Sequence, residues 1–360
     1  MLGHGVTKGV LALEEILKLQ QKIVPELIEL LEKRYNILRT IYYHQPVGRR
    51  ILANNLNLGE RIVRTEINFL KSANLIEVST PGMTVTEEGE DIVEKLKSFI
   101  HEIKGLSYIE SLLAEKLNIK RAIVVPGNMD EDSTIIKELG RAAANHIRSM
   151  IKDDDIIALT GGSTIREVVQ CMPKLNSFKD VLVVPARGGM GKDVEIQANT
   201  LAASFAKKIG AVYKLLHIPD NISDRALDTM LNEKDIKDII HSIKRANILI
   251  YGIGRADQMA RRRGVEPDKL DKLNVLGAVG EAFGCYFNRK GEVVYFTPTI
   301  GINNSDIRTI RNPVAVAGGK NKAEAIVATE NGNTRGVLIT DEGAAKEVLK
   351  ILNVDLEVDY

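Results

Sequence analysis

At 360 residues the chain is long for one domain, and its 44% apolar and 27% charged residues are ordinary for a folded protein. A net charge of +1 points to no partner by itself, and two cysteines in apolar surroundings, Cys171 and Cys285, exclude a disulfide scaffold and read as buried free thiols. Neither a CxxC or HExxH metal spacing nor a run of ~18 apolar residues occurs, and the start is a poor signal peptide, so a cytoplasmic protein without a metal site is expected.

Residues 1–32 place Leu11, Leu13, Ile16, Leu17, Leu19, Ile23, Leu27, Ile28 and Leu31 close to helical spacing, an amphipathic lead-in in which Pro25 suits the first position of a new helix. From Lys33 to Leu75 the charge is uneven. Eight basic residues stand against only Glu60 and Glu66, a local balance of +6 that points to a polyanion. Helices are predicted over Arg34–His44, Arg49–Leu56 and Glu60–Ser72, separated by Pro46-Val47-Gly48 and Asn57-Leu58-Gly59. In the third helix Val63, Ile67 and Leu70 form an apolar stripe, with Ile62 and Phe69 beside them. Arg61, Arg64, Thr65 and Asn68 occupy the opposite face, residue types that suit groove edges and phosphates. Two strand-like runs, Leu75–Val78 and Met83–Thr86, flank a Pro81-Gly82 turn. Three helices and a hairpin make a winged helix-turn-helix over residues 1–87, with Arg49, Arg50, Arg61, Arg64, Thr65 and Asn68 as candidate DNA contacts.

Residues 88–117 continue as a helical linker, jointed at Gly105. From Asn118 to the end, strands and helices alternate, the pattern of a doubly wound, Rossmann-like parallel sheet. The strand candidates are Ala122–Pro126, Ile156–Thr160, Val181–Pro185, Val212–His217, Ile248–Ile253, Val293–Thr297, Val314–Ala317 and Gly336–Thr340. Four of them run into glycine loops: Thr160-Gly161-Gly162-Ser163-Thr164, Ala186–Lys192, Gly252–Arg255 and Ala317–Lys322. Glycines admit a ligand close to the backbone, and a helix N-terminus following such a loop favours an anion. Three of the loops carry Arg or Lys, and a phosphorylated ligand follows as the favoured reading. Gly188–Asp193 fails as a P-loop, because the first glycine is missing and Asp193 stands where Ser or Thr would bind magnesium. Gly252-Ile253-Gly254 lacks the third glycine of a dinucleotide fingerprint, so neither ATP nor NAD is expected as a cofactor.

The stretches PVGRRILANNLNLGERIVRTEINFLKSANLIEV, GMTVTEEG, LTGGST, VVPARGGMG, VGEAFGCYFN, VAVAGGKNKAEAI and TDEGAA resemble the family of central glycolytic genes regulators, bacterial repressors with a SorC-type sugar-binding effector domain. The resemblance runs from about Gln20 onward and implies an effector domain over 118–360 that looks like sugar-phosphate isomerases but acts as a sensor. It implies fructose 1,6-bisphosphate as effector, operator DNA as partner and a homo-oligomer. By motif, Thr160, Gly161, Gly162, Ser163 and Thr164 would cradle a phosphate, Arg187 would meet one, and Gln197 and Glu281 would take sugar hydroxyls. Arg262 and Lys322 would be further phosphate ligands; the register among Arg261, Arg262 and Arg263, and between Lys320 and Lys322, stays open in the sequence. A rival of another class is a sugar-phosphate isomerase or deaminase with an accessory DNA module. It needs a general base, for which Glu281 or Asp257 could serve.

Overall fold

The structure, a computed structural model, describes residues 23–175, 178–188, 193–218, 229–263, 267–297 and 300–356. The lead-in before residue 23 and positions 189–192 of one glycine loop lie outside the described residues. Two compact units are separable: residues 23–107 with Glu131–Thr134, and Tyr108–Asp130 with Ile135–Asp355.

In the first unit α1 (Pro25–His44) opens on Pro25, whose fixed φ and missing N–H suit that position, and takes in the whole of the helix predicted from Arg34. It is followed by α2 (Arg49–Leu56) and α3 (Glu60–Ser72), separated by a turn with Asn57 in the left-handed region. β1 (Ile76–Ser79) and β2 (Gly82–Val85) form the antiparallel hairpin, and Val47 extends it by exchanging two backbone hydrogen bonds with Met83. The Thr86 hydroxyl accepts from the Gly89 amide to cap α4 (Glu87–Ile103). Glu87, Glu88 and Glu90 sit in its first turn, where the helix dipole favours them. Gly105, with φ +60°, turns the chain into α5 (Leu106–Lys116). Ile37, Leu38, Ile41, Val63, Ile67, Leu70, Met83 and Ile100 make the core.

One expectation for α3 changes. Ile62 and Phe69 are exposed rather than inward, and the rim of the buried face is taken by Glu66. Lys33 and Arg34 each reach Glu66 at 2.9 Å, and the Arg34 guanidinium lies 3.4 Å from the centroid of the Phe69 ring. Burial alone would raise the Glu66 carboxyl, but hydrogen bonds from Arg34 and Lys33 outweigh it and hold it below the usual glutamate range.

Gly89, in the first turn of α4, packs on the backbone of residue 75, and a Cβ there would overlap the Leu75 carbonyl oxygen. Gly89→Ala gains about 1 kcal/mol of helix propensity. Overpacking against backbone costs about 1–3 kcal/mol, so net destabilisation is expected. Lower urea resistance of the variant is the measurable outcome.

In the second unit a seven-stranded sheet runs in the order β3-β13-β12-β7-β4-β5-β6, every pairing parallel. The strands are β3 (Arg121–Val125), β4 (Ile156–Leu159), β5 (Leu182–Pro185), β6 (Val212–Tyr213), β7 (Ile248–Gly252), β12 (Asn312–Val316) and β13 (Val337–Asp341). Both faces are covered, as consecutive residues show: Ile248, Leu249, Ile250 and Tyr251 are all buried. One face packs on α6 (Ile135–Met150), α7 (Ser163–Cys171) and α8 (Ala198–Ile209) through Ile135, Leu139, Ile165, Val168, Leu201 and Phe205. The remaining long helices are α9 (Lys234–Lys244), α10 (Ala256–Arg262), α11 (Pro267–Val275), α13 (Ala323–Glu330) and α14 (Glu342–Ile351), with the short α12 (Asn304–Ile307) between α11 and α13. Both cysteines are free thiols; burial, with Glu167 adding to it, pushes Cys171 up to about 11.

The strand predicted at Val293–Thr297 is real but belongs elsewhere. As β11 (Val293–Phe296) it edges a separate antiparallel sheet, order β11-β10-β9-β8, with β8 (Gly254–Arg255), β9 (Ala278–Ala282) and β10 (Cys285–Asn288). Phe283 and Gly284, both at positive φ, form a two-residue hairpin turn between β9 and β10. Connections this short cannot make the crossover that parallel strands require. The β6 strand also ends at Tyr213, short of the predicted His217.

Candidate functional site

Chain order around the sheet creates the site. From β4 the next strand lies on one side, while β7 flanks β4 on the other, so the loops leaving β4 and β7 diverge at their carboxyl ends. A cavity of about 530 Å³ opens there. Its walls include Thr160, Gly161, Gly162, Ser163, Thr164, Arg187, Arg262, Glu281 and Lys322, so nine of the ten effector residues expected from sequence come together.

The β4–α7 loop is held from two sides. The Thr160 amide donates to the Ile250 carbonyl and its hydroxyl accepts from the Gly252 amide at 3.4 Å. The Gly162 amide donates to the Ile196 carbonyl at 2.8 Å, and a Cβ on Gly161 would meet that same oxygen. Gly162, at φ +122°, is the N-cap of α7, and no side chain caps the helix. The first-turn amides of Ser163, Thr164 and Ile165 stand at the cavity wall, where the dipole favours an anion. Arg187, only 4% exposed, follows β5; its backbone is fixed by bridging Gly301, with Gly188 and Ala186 hydrogen-bonded to Ile300 and Ile302.

The structure sets one of the three arginines apart from the other two. All three line the cavity, but Arg263 is turned inward: its Nη2 donates to Glu281 Oε1 at 2.6 Å and its Nη1 to Thr297 Oγ1 at 3.2 Å. Glu281 Oε1 also accepts from the Gly284 amide at 2.6 Å. Arg261 and Arg262 stay exposed on the last turn of α10. The lysines separate likewise. Lys322 lines the cavity, whereas Lys320 is exposed and pairs with Glu347 of α14 at 3.4 Å. Burial lowers the Lys322 ammonium pKa; Asp130 and Asp341 work against that shift and Arg262 with it.

Gln197 is not among the residues lining the cavity; it precedes α8, with its backbone against Gly161. Asp257 is likewise absent from the lining and is held bidentate by Arg255 at 3.1 and 3.0 Å. Of the two candidate bases of the enzyme reading, then, only Glu281 stands at the cavity, with its Oε1 engaged by Arg263 and the Gly284 amide. Sequence reasoning did not single out Phe283, Gln258, Met259 or Ile196, and named Asp193 only as the residue that breaks a P-loop; all five also line the cavity. Phe283 carried no local signal: it stands at positive φ in the two-residue hairpin turn, an unusual placement for an aromatic, with its ring centroid 4.5 Å from that of Tyr251. Five basic side chains against Asp193 and Glu281 make the cavity electropositive. Among the described residues no cluster of metal-ligating side chains occurs, and no helix is long and apolar enough to cross a membrane.

In the first unit Arg49, Arg50, Arg61, Arg64, Thr65 and Asn68 are all exposed, the last four on the outward face of α3. The basic excess is partly neutralised, since Lys33 and Arg34 share Glu66 and Arg50 lies 3.6 Å from Glu60. Arg49, Arg61, Arg64 and Lys71 make no ion pair among the described residues and remain available for a polyanion.

Comparison with known proteins matches the two units separately. The Sugar-bind family model, a sugar-binding domain, matches residues 101–350, and the model of the CggR N-terminal DNA binding domain matches residues 30–100. The Central glycolytic genes regulator of Bacillus subtilis is 41% identical over 94% of this chain and 99% of its own, and that of Priestia megaterium 42% over 95% and 100%. A SorC family transcriptional regulator from Enterococcus faecalis, 36% identical, superposes with a TM-score of 0.64 over 67% of this chain and 99% of its own. The full-length sorbitol operon regulator SorC of Klebsiella pneumoniae, at 18% identity, shares the fold with a TM-score of 0.62 over 87% of this chain and 97% of its own. With this identity across nearly its whole length, the chain belongs to the family of central glycolytic genes regulators, and it is a DNA-binding transcription regulator rather than an enzyme.

Proposed function

We propose that the chain represses glycolytic genes and that a phosphorylated sugar, fructose 1,6-bisphosphate above all, occupies the cavity and modulates operator binding. One observation carries the reading: an uncapped helix N-terminus, Arg187, Arg262 and Lys322 face a single cavity of about 530 Å³. A sugar bisphosphate carries about four negative charges near neutral pH, because each phosphate has a second pKa near 6. Forked guanidinium donors match phosphate oxygens, and helix amides add uncharged donors. Glu281, held rigid by Arg263, suits sugar hydroxyls. Isothermal titration of glycolytic mono- and bisphosphates into the full-length protein tests this; heat from none of them would contradict it.

On the DNA side, α3 would enter the major groove and the protein would act as a dimer or tetramer on symmetry-related half-sites. The effector would favour one arrangement of the sugar-binding domains and weaken contacts between dimers on the operator. Arg61→Ala or Arg64→Ala is expected to weaken operator binding by about 1–3 kcal/mol where a base contact is lost, and to relax specificity at that base. Arg49→Ala is expected to weaken binding to all sequences and to shallow the salt dependence by about one unit of slope. Fluorescence anisotropy over a salt series separates the two patterns.

A further inference from the structure

The turn that carries Lys322 is not held by its own strand alone. Asp341, fully buried at the end of β13, donates no proton but accepts three: the Ala344 amide at Oδ1, which caps α14, and the Met129 and Gly319 amides at Oδ2, at 2.7 and 2.8 Å. Its carboxylate thereby ties the 127–130 turn after β3 to the 317–322 turn after β12. Asp130, at the tip of the first turn, repeats the tie from outside. Its Oδ2 accepts the Asn321 amide at 2.9 Å and its Oδ1 the Asn321 side-chain amide at 2.7 Å. Gly319, at φ +98°, lets this happen, since a Cβ there would come 2.7 Å from Asp130 Oδ1. Lys322 follows directly, in the field of both carboxylates yet within ion-pair distance of neither among the described residues.

We propose that Asp130 is a positioning residue of the effector cavity: by clasping Asn321 it fixes the reach of Lys322, and so the preference of the cavity for a doubly over a singly phosphorylated sugar. Asp341 is the buried base on which that clasp is built. The inference rests on the reading of the cavity given above. It makes an unusual demand on charge. An acid near an anion site repels the ligand, so its removal should tighten binding if Coulomb repulsion were its whole effect. As a clasp, its removal must loosen binding instead.

The test is isothermal titration of the full-length protein with fructose 1,6-bisphosphate, fructose 1-phosphate and fructose 6-phosphate. It compares the wild type with Asp130→Ala, Asp130→Asn, Lys322→Ala and the Asp130→Ala/Lys322→Ala double variant. Asp130 is exposed and Asp341 still ties the same two turns without it, so its loss is expected to leave the fold intact. For Asp130→Ala, affinity for the bisphosphate is expected to fall about tenfold, the scale of one lost charge-assisted hydrogen bond. One monophosphate falls with it, and the other, seated on the α7 amides, keeps its affinity. Asp130→Asn, which retains an acceptor for the Asn321 amide, restores most of the loss, and the double variant is no weaker than Lys322→Ala alone. Unchanged or tighter bisphosphate binding by Asp130→Ala, or an equal loss for all three sugars, overturns the clasp while leaving the cavity assignment standing. Failure of the wild type to bind any of the three overturns the cavity assignment itself, and the clasp with it.

Discussion

Arg187→Ala is expected to raise the dissociation constant for a sugar bisphosphate about a hundredfold, or roughly 3 kcal/mol, the scale of a bidentate guanidinium–phosphate contact in a desolvated wall. Arg187 is nearly fully buried at the cavity, and its backbone is pinned between Ile300 and Ile302 by the Gly301 bridge. Burial and the pinned backbone limit the freedom that its side chain loses on binding. Arg187→Lys should recover only part of the loss, because an ammonium offers a point charge where the guanidinium offers a fork. Titration calorimetry on both variants reads the effect, with wild-type operator binding in the absence of sugar as the control for folding.

A second large effect concerns pH. Glu330, at the end of α13, is 1% exposed and its carboxylate has only hydroxyl partners among the described residues: Tyr251 donates to Oε1 at 2.8 Å and Thr334 to Oε2 at 2.6 Å. Burial raises its pKa from 4.5 to about 7 against the opposing pull of the Thr334 and Tyr251 hydrogen bonds, and it drives the Tyr251 phenol well above its ordinary value too. Between pH 4.5 and 7 the folded protein thus binds a proton that the unfolded chain has released. The stabilising contribution is full below pH 4.5 and is lost as pH rises through 7, about 3 kcal/mol in all. Glu330→Gln should abolish this contribution. The difference in unfolding free energy between wild type and variant, from urea titrations at pH 5 and pH 8, should shrink or reverse by that amount. A constant difference would mean that Glu330 is ionised throughout. The Tyr251 ring lies tilted against Phe283 of the cavity wall, with centroids 4.5 Å apart, so this network also backs the effector site.

What could be read from the sequence follows the physics of each element. The parallel strands were legible because strands buried on both faces become unbroken apolar runs, as in Ile248–Tyr251. The glycine loops were legible because close backbone approach admits only glycine, as the contact of Gly161 with Ile196 confirms. The antiparallel sheet was not, because β8 and β9 carry Gly254, Gly280 and Glu281 and do not read as strands; with β10 they form through pairing and a hairpin turn. Exposure of Ile62 and Phe69 was missed because periodicity does not show that Glu66 can be buried when Lys33 and Arg34 approach from another helix. The inward turn of Arg263 depended on Glu281, which lies on a distant strand and is invisible to local spacing.

The most direct measurement is titration of the full-length protein onto a labelled duplex that it selects from a random-sequence pool, with and without fructose 1,6-bisphosphate. A sugar-dependent change in operator affinity of about five- to 150-fold, the usual range of allosteric coupling, is expected for the wild type and not for Arg187→Ala. Identical binding curves for the wild type with and without the sugar would contradict the cavity as the sensor of a sugar bisphosphate.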